Sequence, residues 1–346
     1  MLMSEVSNEI KLLSQLEDLK STHSRTLRDL EKARVRKDEL VEAVYRAAKD
    51  ASAALNIKGV KPPPTDIRKK AEEVCVPMVS DLQLAKLTPD YNSKVCEERM
   101  EAYAQKICDL ADIQRSDHPV RKAHVLVLGD IIEGALIFPG QSFLVDAGLY
   151  RQVTVDGPRI LVNFFRKLLS HFDSVEATMV IGNHGRIGGR SSRDMDKEDN
   201  ADRMLYRIVQ TLFETMGEKR ITFNIPDGAR ESNWYAIAEV GKWKCLCLHG
   251  DQMRGHSGLP WYGFQKKINS WAAGALPEDF SAVAMGHWHQ IASIPMNKRT
   301  VFVNGSTESY NTYAQEQLAA QSDPAQWTLF VSPNKGQVTA QYQVWL

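Results

Sequence analysis

Five short apolar runs, each with the pattern of a β-strand, end in small residues set beside carboxylate, amide or imidazole side chains: VSDLQ at 79–83, LGDIIEG at 128–134, IGNHGR at 181–186, LHGD at 248–251 and MGHWH at 285–289. In open α/β sheets the crevice beyond the carboxyl ends of the strands is where such residues can meet. The repeated strand-end pattern therefore demands a fold in which several strand ends share one edge. Glycines at 129, 182, 250 and 286 let the backbone turn sharply beside the polar groups. Taken singly, each piece has an ordinary reading. Gly129-Asp130 is a common turn pair, Asn183 a turn former, His249 a satisfied core histidine, and His287 and His289 exposed residues at a strand end. Taken together, four of the nine histidines, two aspartates and an asparagine occupy the same position on successive units, which points to a metal site.

The rest of the chain alternates short apolar runs with helical periodicity, as an α/β domain does. Strands are expected at Val74–Val79, His124–Leu128, Thr178–Ile181, Ile221–Ile225, Trp234–Val240, Trp243–Leu248, Ala282–Met285, Thr300–Val303, Trp327–Val331 and Val338–Leu346. Helices are expected over 94–115, 158–171, 201–216 and 261–273, with Gly217 ending the third. Residues 1–58 carry apolar positions such as Leu12, Leu16 and Leu19 among many charges, the pattern of a long helix or short coiled coil. That segment either lies on the main domain or serves a homo-oligomer or partner helix. Residues 59–71 contain Pro62, Pro63 and Pro64, which lack amide donors and mark a stiff linker before a domain spanning 72–346.

Composition narrows the function classes. With 43% hydrophobic and 25% charged residues, the bulk of the chain should fold. The basic and acidic side chains balance at 43 each, so any affinity for phosphate must be local. Five cysteines without a C-x-x-C pair do not form a zinc or disulfide framework. The chain has no apolar run of about 18 residues and no signal-like start, so no membrane association and a cytoplasmic location are expected.

At these motifs the sequence resembles the calcineurin-like metallophosphoesterases, whose ordered pattern is D-x-H, G-D-x-x-D/E, G-N-H, a lone His and G-H-x-H. The matching residues are Asp81-Leu82-Gln83, Gly129-Asp130 with Glu133, Gly182-Asn183-His184, His249 and Gly286-His287-Trp288-His289. Within that superfamily it is most similar to bacteriophage-encoded DNA-repair exonucleases of the SbcD-like branch, sharing GNHGR, MGHWHQ and the VNGS of 303–306. The resemblance implies a four-layer α/β/β/α sandwich over about residues 72–346 and two divalent cations at its strand ends. One cation would take Asp81, Gln83, Asp130 and His289; the other would take Asp130, Asn183, His249 and His287. It further implies phosphoester hydrolysis by a hydroxide bridging the two ions, with His184 as the catalytic proton donor.

Gln83 departs from the family's pattern, because an amide oxygen replaces an imidazole nitrogen. A harder donor favours Mn2+, or Mg2+, over zinc. Glu133 is expected to orient a ligand from behind, or else to be a solvated loop acid. Arg186 is the candidate phosphate-binding residue, with Arg190 and Arg193 in the same loop. Trp288 and Tyr310 either stack a base or pack on the scaffold. Three functions fit: a nuclease acting on DNA, a phosphomonoesterase or small-nucleotide phosphodiesterase, and a non-catalytic binding subunit with a degenerate site. Only 57 residues follow His289, so a separate DNA-capping domain is not expected.

Overall fold

The computed structural model describes residues 59–135, 137–138, 140–187, 199–226, 233–253, 258–308 and 323–346. The helical segment expected over 1–58, with its association role, lies outside the described residues, as do Arg190, Arg193 and Tyr310. Two sheets form the centre. In the first, β1 (Val74–Val79), β2 (Lys122–Val127), β3 (Ser174–Met179) and β4 (Ile221–Asn224) run parallel. β10 (Ala325–Ser332) and β11 (Gln337–Trp345) extend this sheet antiparallel beyond β1. The second has the order β5 (Tyr235–Val240), β6 (Trp243–Leu248), β7 (Ala282–Met285), β9 (Arg299–Val303), β8 (Ala292–Met296), with β6, β7 and β9 parallel.

Period-two alternation sorts the strand residues into layers. Val74, Val76 and Met78 of β1 join Ala236, Cys245, Ala284, Phe302, Trp327 and Leu329 in one core between the sheets. The alternate face of the first sheet is covered by α1 (Ser93–Gln114), α2 (149–169) and α3 (Ala201–Thr215), where Phe164 and Phe165 pack against each other and Phe165 meets Phe213 edge-on. α2 is a continuous run of Leu149–Arg151, a π-helical Gln152–Asp156 and Gly157–Leu169. On the far side, Phe264 and Ile268 of α4 (Trp261–Ser270) bury Leu246, Val283 and Val301 of the second sheet. The order helix, sheet, sheet, helix is the four-layer sandwich expected. Each large side chain buried in these layers contributes on the order of 2 kcal/mol, so the scaffold stands on apolar packing. Among the described residues no helix is long and apolar enough to cross a membrane.

The larger differences from expectation are two shifted boundaries and one added strand. α2 begins at Leu149 instead of 158, because the π turn ahead of Pro158 absorbs the residue that cannot donate; the Gly157 amide reaches back to the Gln152 carbonyl. β3 runs from Ser174, so Val180 and Ile181 already lie in the loop. β8 was not anticipated at all; its Pro295 is tolerated because β8 is an edge strand.

Candidate metal centre

Every expected ligand lies just past the carboxyl end of a strand: Asp81 and Gln83 after β1, Asp130 after β2, Asn183 after β3, His249 after β6, and His287 and His289 after β7. The backbone there is held against its preference. Asp81 (φ 52°), Gln83 (47°), Asp130 (53°), His287 (72°) and His289 (52°) are five of the seven non-glycine residues with left-handed backbone among those described. Such conformations cost about 1 kcal/mol or more each and persist only where surrounding contacts impose them. Here the contacts are visible. The Asp81 carboxylate accepts the His287 amide at 3.0 Å, Asp130 Oδ1 accepts the His184 amide at 2.7 Å, and the Gln83 amide donates to the Asp130 carbonyl at 3.1 Å.

Four ligand atoms meet at His249. Its Nδ1 donates to the Leu128 carbonyl at 2.7 Å, which turns Nε2 toward Asp130 Oδ2 (2.9 Å), Asn183 Oδ1 (3.0 Å) and His287 Nδ1 (3.3 Å). Asp130, His249 and His287 each offer an atom within 4.8 Å of the others. On the other side of Asp81, His289 Nε2 stands 3.3 Å from Asp81 Oδ1. Gln83 is fully buried, and neither Oε1 nor Nε2 of its side chain has a hydrogen-bond partner. A buried amide left without partners costs on the order of 1–3 kcal/mol, a penalty that a cation on Oε1 would relieve for that atom. The donor set of carboxylate, amide oxygen and imidazole nitrogen thus fits divalent cations.

Electrostatics gives the same reading. Burial opposes a charged His249, yet the adjacent Asp130 carboxylate outweighs it and pushes the ring up to about 10. A proton is then held where a cation would sit. His287 is driven down to about 4, by burial and then by the His249 charge, so it presents a neutral lone pair. Asp130 stays ionised despite burial, because His249 and His184 hold its carboxyl far below the ordinary range.

His184 stands apart from the ligand atoms gathered at His249. Its Nδ1 donates to the Glu133 carbonyl at 2.9 Å and lies 3.3 Å from Glu133 Oε2, while Nε2 lies 4.0 Å from Asp130 Oδ2. Burial opposes its charge, but Asp130 and Glu133 prevail and raise it to about 9. Glu133 is buried and takes Gln141 Nε2 at 3.0 Å, which places it behind the site and not in solvent. Arg186 sits at the rim paired with Asp251, and Trp288 packs edge-on to Phe264.

Several residues were not singled out from sequence. Asp202 binds the loops after β2 and β3. Glu308 is buried within 3.5 Å of His289 Nδ1 and pairs with Lys86 at 2.7 Å. Beneath the site, Asn304 donates to Ser80 Oγ (2.9 Å) and Gln326 Oε1 (2.6 Å), joining the ends of β1, β9 and β10. The only sequence signal for Asp202 was its place near the start of a helix, which suits an ordinary cap equally well.

No family model and no curated protein matches the chain. Among solved structures it is similar to an archaeal phosphodiesterase, with 10% identity and a TM-score of 0.36 over 78% of this chain and 99% of that one. A predicted phosphoesterase of Streptococcus pneumoniae gives 13% identity and a TM-score of 0.33 over 80% and 100%. Vacuolar protein sorting 29 of Cryptosporidium parvum gives 13% identity and a TM-score of 0.36, also over 80% and 100%.

Proposed function

We propose that this chain is a two-metal phosphoester hydrolase of the calcineurin-like kind, acting on phosphodiesters of DNA. The observation that carries the reading is Asp130. It is buried, strained, and placed between His249 at 2.9 Å and His184 at 4.0 Å, with Asp81 and its partner His289 at the neighbouring strand ends. One cation would be held by Asp81, Gln83, Asp130 and His289, the other by Asp130, Asn183, His249 and His287. When bound, such cations supply Lewis acidity toward phosphoryl oxygens and make water nucleophilic near neutral pH.

The chain's own groups do the rest. Asp81 and Asp130 supply two negative charges against the four of two divalent cations, so a surplus remains to attract a phosphoester. Glu133 fixes the His184 ring through Nδ1, which leaves Nε2 as the nitrogen that can give up a proton. A water oxygen gives up a proton to solvent and forms the new bond to phosphorus, the ester P–O bond breaks, and the leaving oxygen takes the proton His184 holds at Nε2, which His184 then regains from solvent. Gln83 makes Mn2+ or Mg2+ the preferred ion at its position. Likeness of the motifs to phage repair exonucleases supports a DNA substrate, with Arg186 at the rim to meet a backbone phosphate once it leaves Asp251.

Rates with Mn2+ on matched single- and double-stranded oligonucleotides and on a nucleoside monophosphate test the substrate. DNA cleavage should exceed release of phosphate from the monophosphate, and single strands should be favoured because they can bend into a site at strand ends. Fastest turnover of the monophosphate would replace this reading with a phosphomonoesterase.

A further inference from the structure

The carboxylate of Asp202 is fully buried in the first turn of α3 and accepts backbone amides from two separate loops. Oδ2 takes the N–H of Asp130 at 2.9 Å and of Gly182 at 3.0 Å, while Oδ1 takes those of Ile131 at 3.2 Å and Ile132 at 3.3 Å. Asn200 completes the tie: its Oδ1 accepts the Asp202 amide at 2.9 Å, and its Nδ2 donates to the Gly182 carbonyl at 2.9 Å. The two loops are also in direct contact. A Cβ on Gly129 would stand 2.5 Å from the Gly182 nitrogen, and one on Gly182 would stand 2.1 Å from Asp130 Oδ1.

A helix cap would spend its oxygens on amides of its own first turn, and here Asn200 already fills that role. All four amides bonded to Asp202 belong to the loops after β2 and β3. Keeping this carboxylate buried close to Asp130 sets like charges against each other, a cost that strong hydrogen bonds to the ionised oxygens must offset. In return, a left-handed Asp130 is held in place while the adjoining loop presents Asn183. Removing Asp202 would free both loops to relax toward ordinary backbone.

We propose that Asp202 is a positioning residue for the metal centre, stapling the loops after β2 and β3 so that Asp130 and Asn183 face His249 together. The proposal rests on the metal reading above. Asp202 is not itself a ligand; it acts through the backbone of the residues that are.

The test is Mn2+ affinity, measured by calorimetric titration of the purified full chain, for wild type, Asp202→Asn and Val74→Ala. Asp202→Asn keeps the side-chain shape but turns an N–H toward two of the four amides. It should weaken Mn2+ binding by roughly tenfold or more, as loss of a group supporting a ligand does. Val74→Ala loosens the core between the sheets at the first residue of β1, the end opposite Asp81, and should bind as wild type even where it lowers thermal stability. Wild-type affinity in a folded Asp202→Asn protein would overturn the proposal. Should that variant not fold, amide hydrogen exchange of the wild type decides. Protection of Ile131, Ile132 and Gly182 equal to that of strand amides supports the staple, and exchange at exposed-loop rates overturns it. A wild-type chain that takes up no Mn2+ would instead sink the metal reading and the staple with it, an outcome distinct from equal binding by both proteins.

Discussion

His249 donates from Nδ1 to the carbonyl oxygen of Leu128 at 2.7 Å, and this one bond decides which nitrogen faces Asp130. A histidine fixed through one nitrogen offers the other as a ligand with a defined tautomer and ring plane. Without a cation, the same geometry retains a proton between His249 and Asp130. Binding of Mn2+ at pH 7 to 8 should therefore release protons, seen as a dependence of the binding enthalpy on the ionisation enthalpy of the buffer. Binding with no buffer dependence would contradict a protonated His249 in the cation-free chain.

Metal choice should follow Gln83. Its amide oxygen suits Mn2+ or Mg2+, so chelated protein should regain activity with Mn2+ better than with zinc. Gln83→His should tilt that preference toward zinc. Competition titrations of the two ions against both proteins would check this, and an unchanged ratio would remove Gln83 as the cause.

His184→Ala should leave cation affinity close to wild type while lowering kcat about a hundredfold or more, the usual effect of losing a general acid. The separation is expected because His184 touches Asp130 only through its backbone amide and a 4.0 Å approach. A kcat within a few-fold of wild type would remove His184 from proton transfer.

Stability should decline on mild acidification through a residue remote from the centre. His124 is buried on β2 with Nε2 at 2.9 Å from Thr178 Oγ1, and burial lowers its pKa more than the Glu176 carboxylate raises it. With the folded value below the unfolded one, the neutral ring favours folding. That contribution is complete above the unfolded value of about 6.5 and is lost as pH falls below it. Urea midpoints at pH 7 and pH 5 should fall less in His124→Gln than in wild type. An equal or larger fall in the variant would contradict the sign.

Much of the centre was legible because its chemistry is local. Gly-Asp, Gly-Asn-His and Gly-His-x-His each place a ligand at the turn after an apolar run, and a strand end is short enough to read directly. Gly157-Pro158 misled because the pair reads as a helix start, whereas a π turn carries α2 through it. Ser174 and Glu176 hid the first half of β3, since both are polar and Glu176 lines an open groove with Thr178, Asn224 and Glu239 instead of the core. Asp202 was invisible for a different reason. Its amide partners lie as far as 72 residues away, and no local pattern marks a carboxylate that serves other loops.

Asp130 alone is assigned to both cations, so both depend on its carboxylate. The most direct measurement is hydrolysis of bis-para-nitrophenyl phosphate by wild type and Asp130→Asn, each with Mn2+ and again after chelation, with bound Mn2+ counted in parallel. Turnover is expected from the Mn2+-loaded wild type alone, with two Mn2+ per wild-type chain and loss of both stoichiometry and turnover in Asp130→Asn. Undiminished hydrolysis after chelation, or full stoichiometry and turnover in Asp130→Asn, would contradict that assignment.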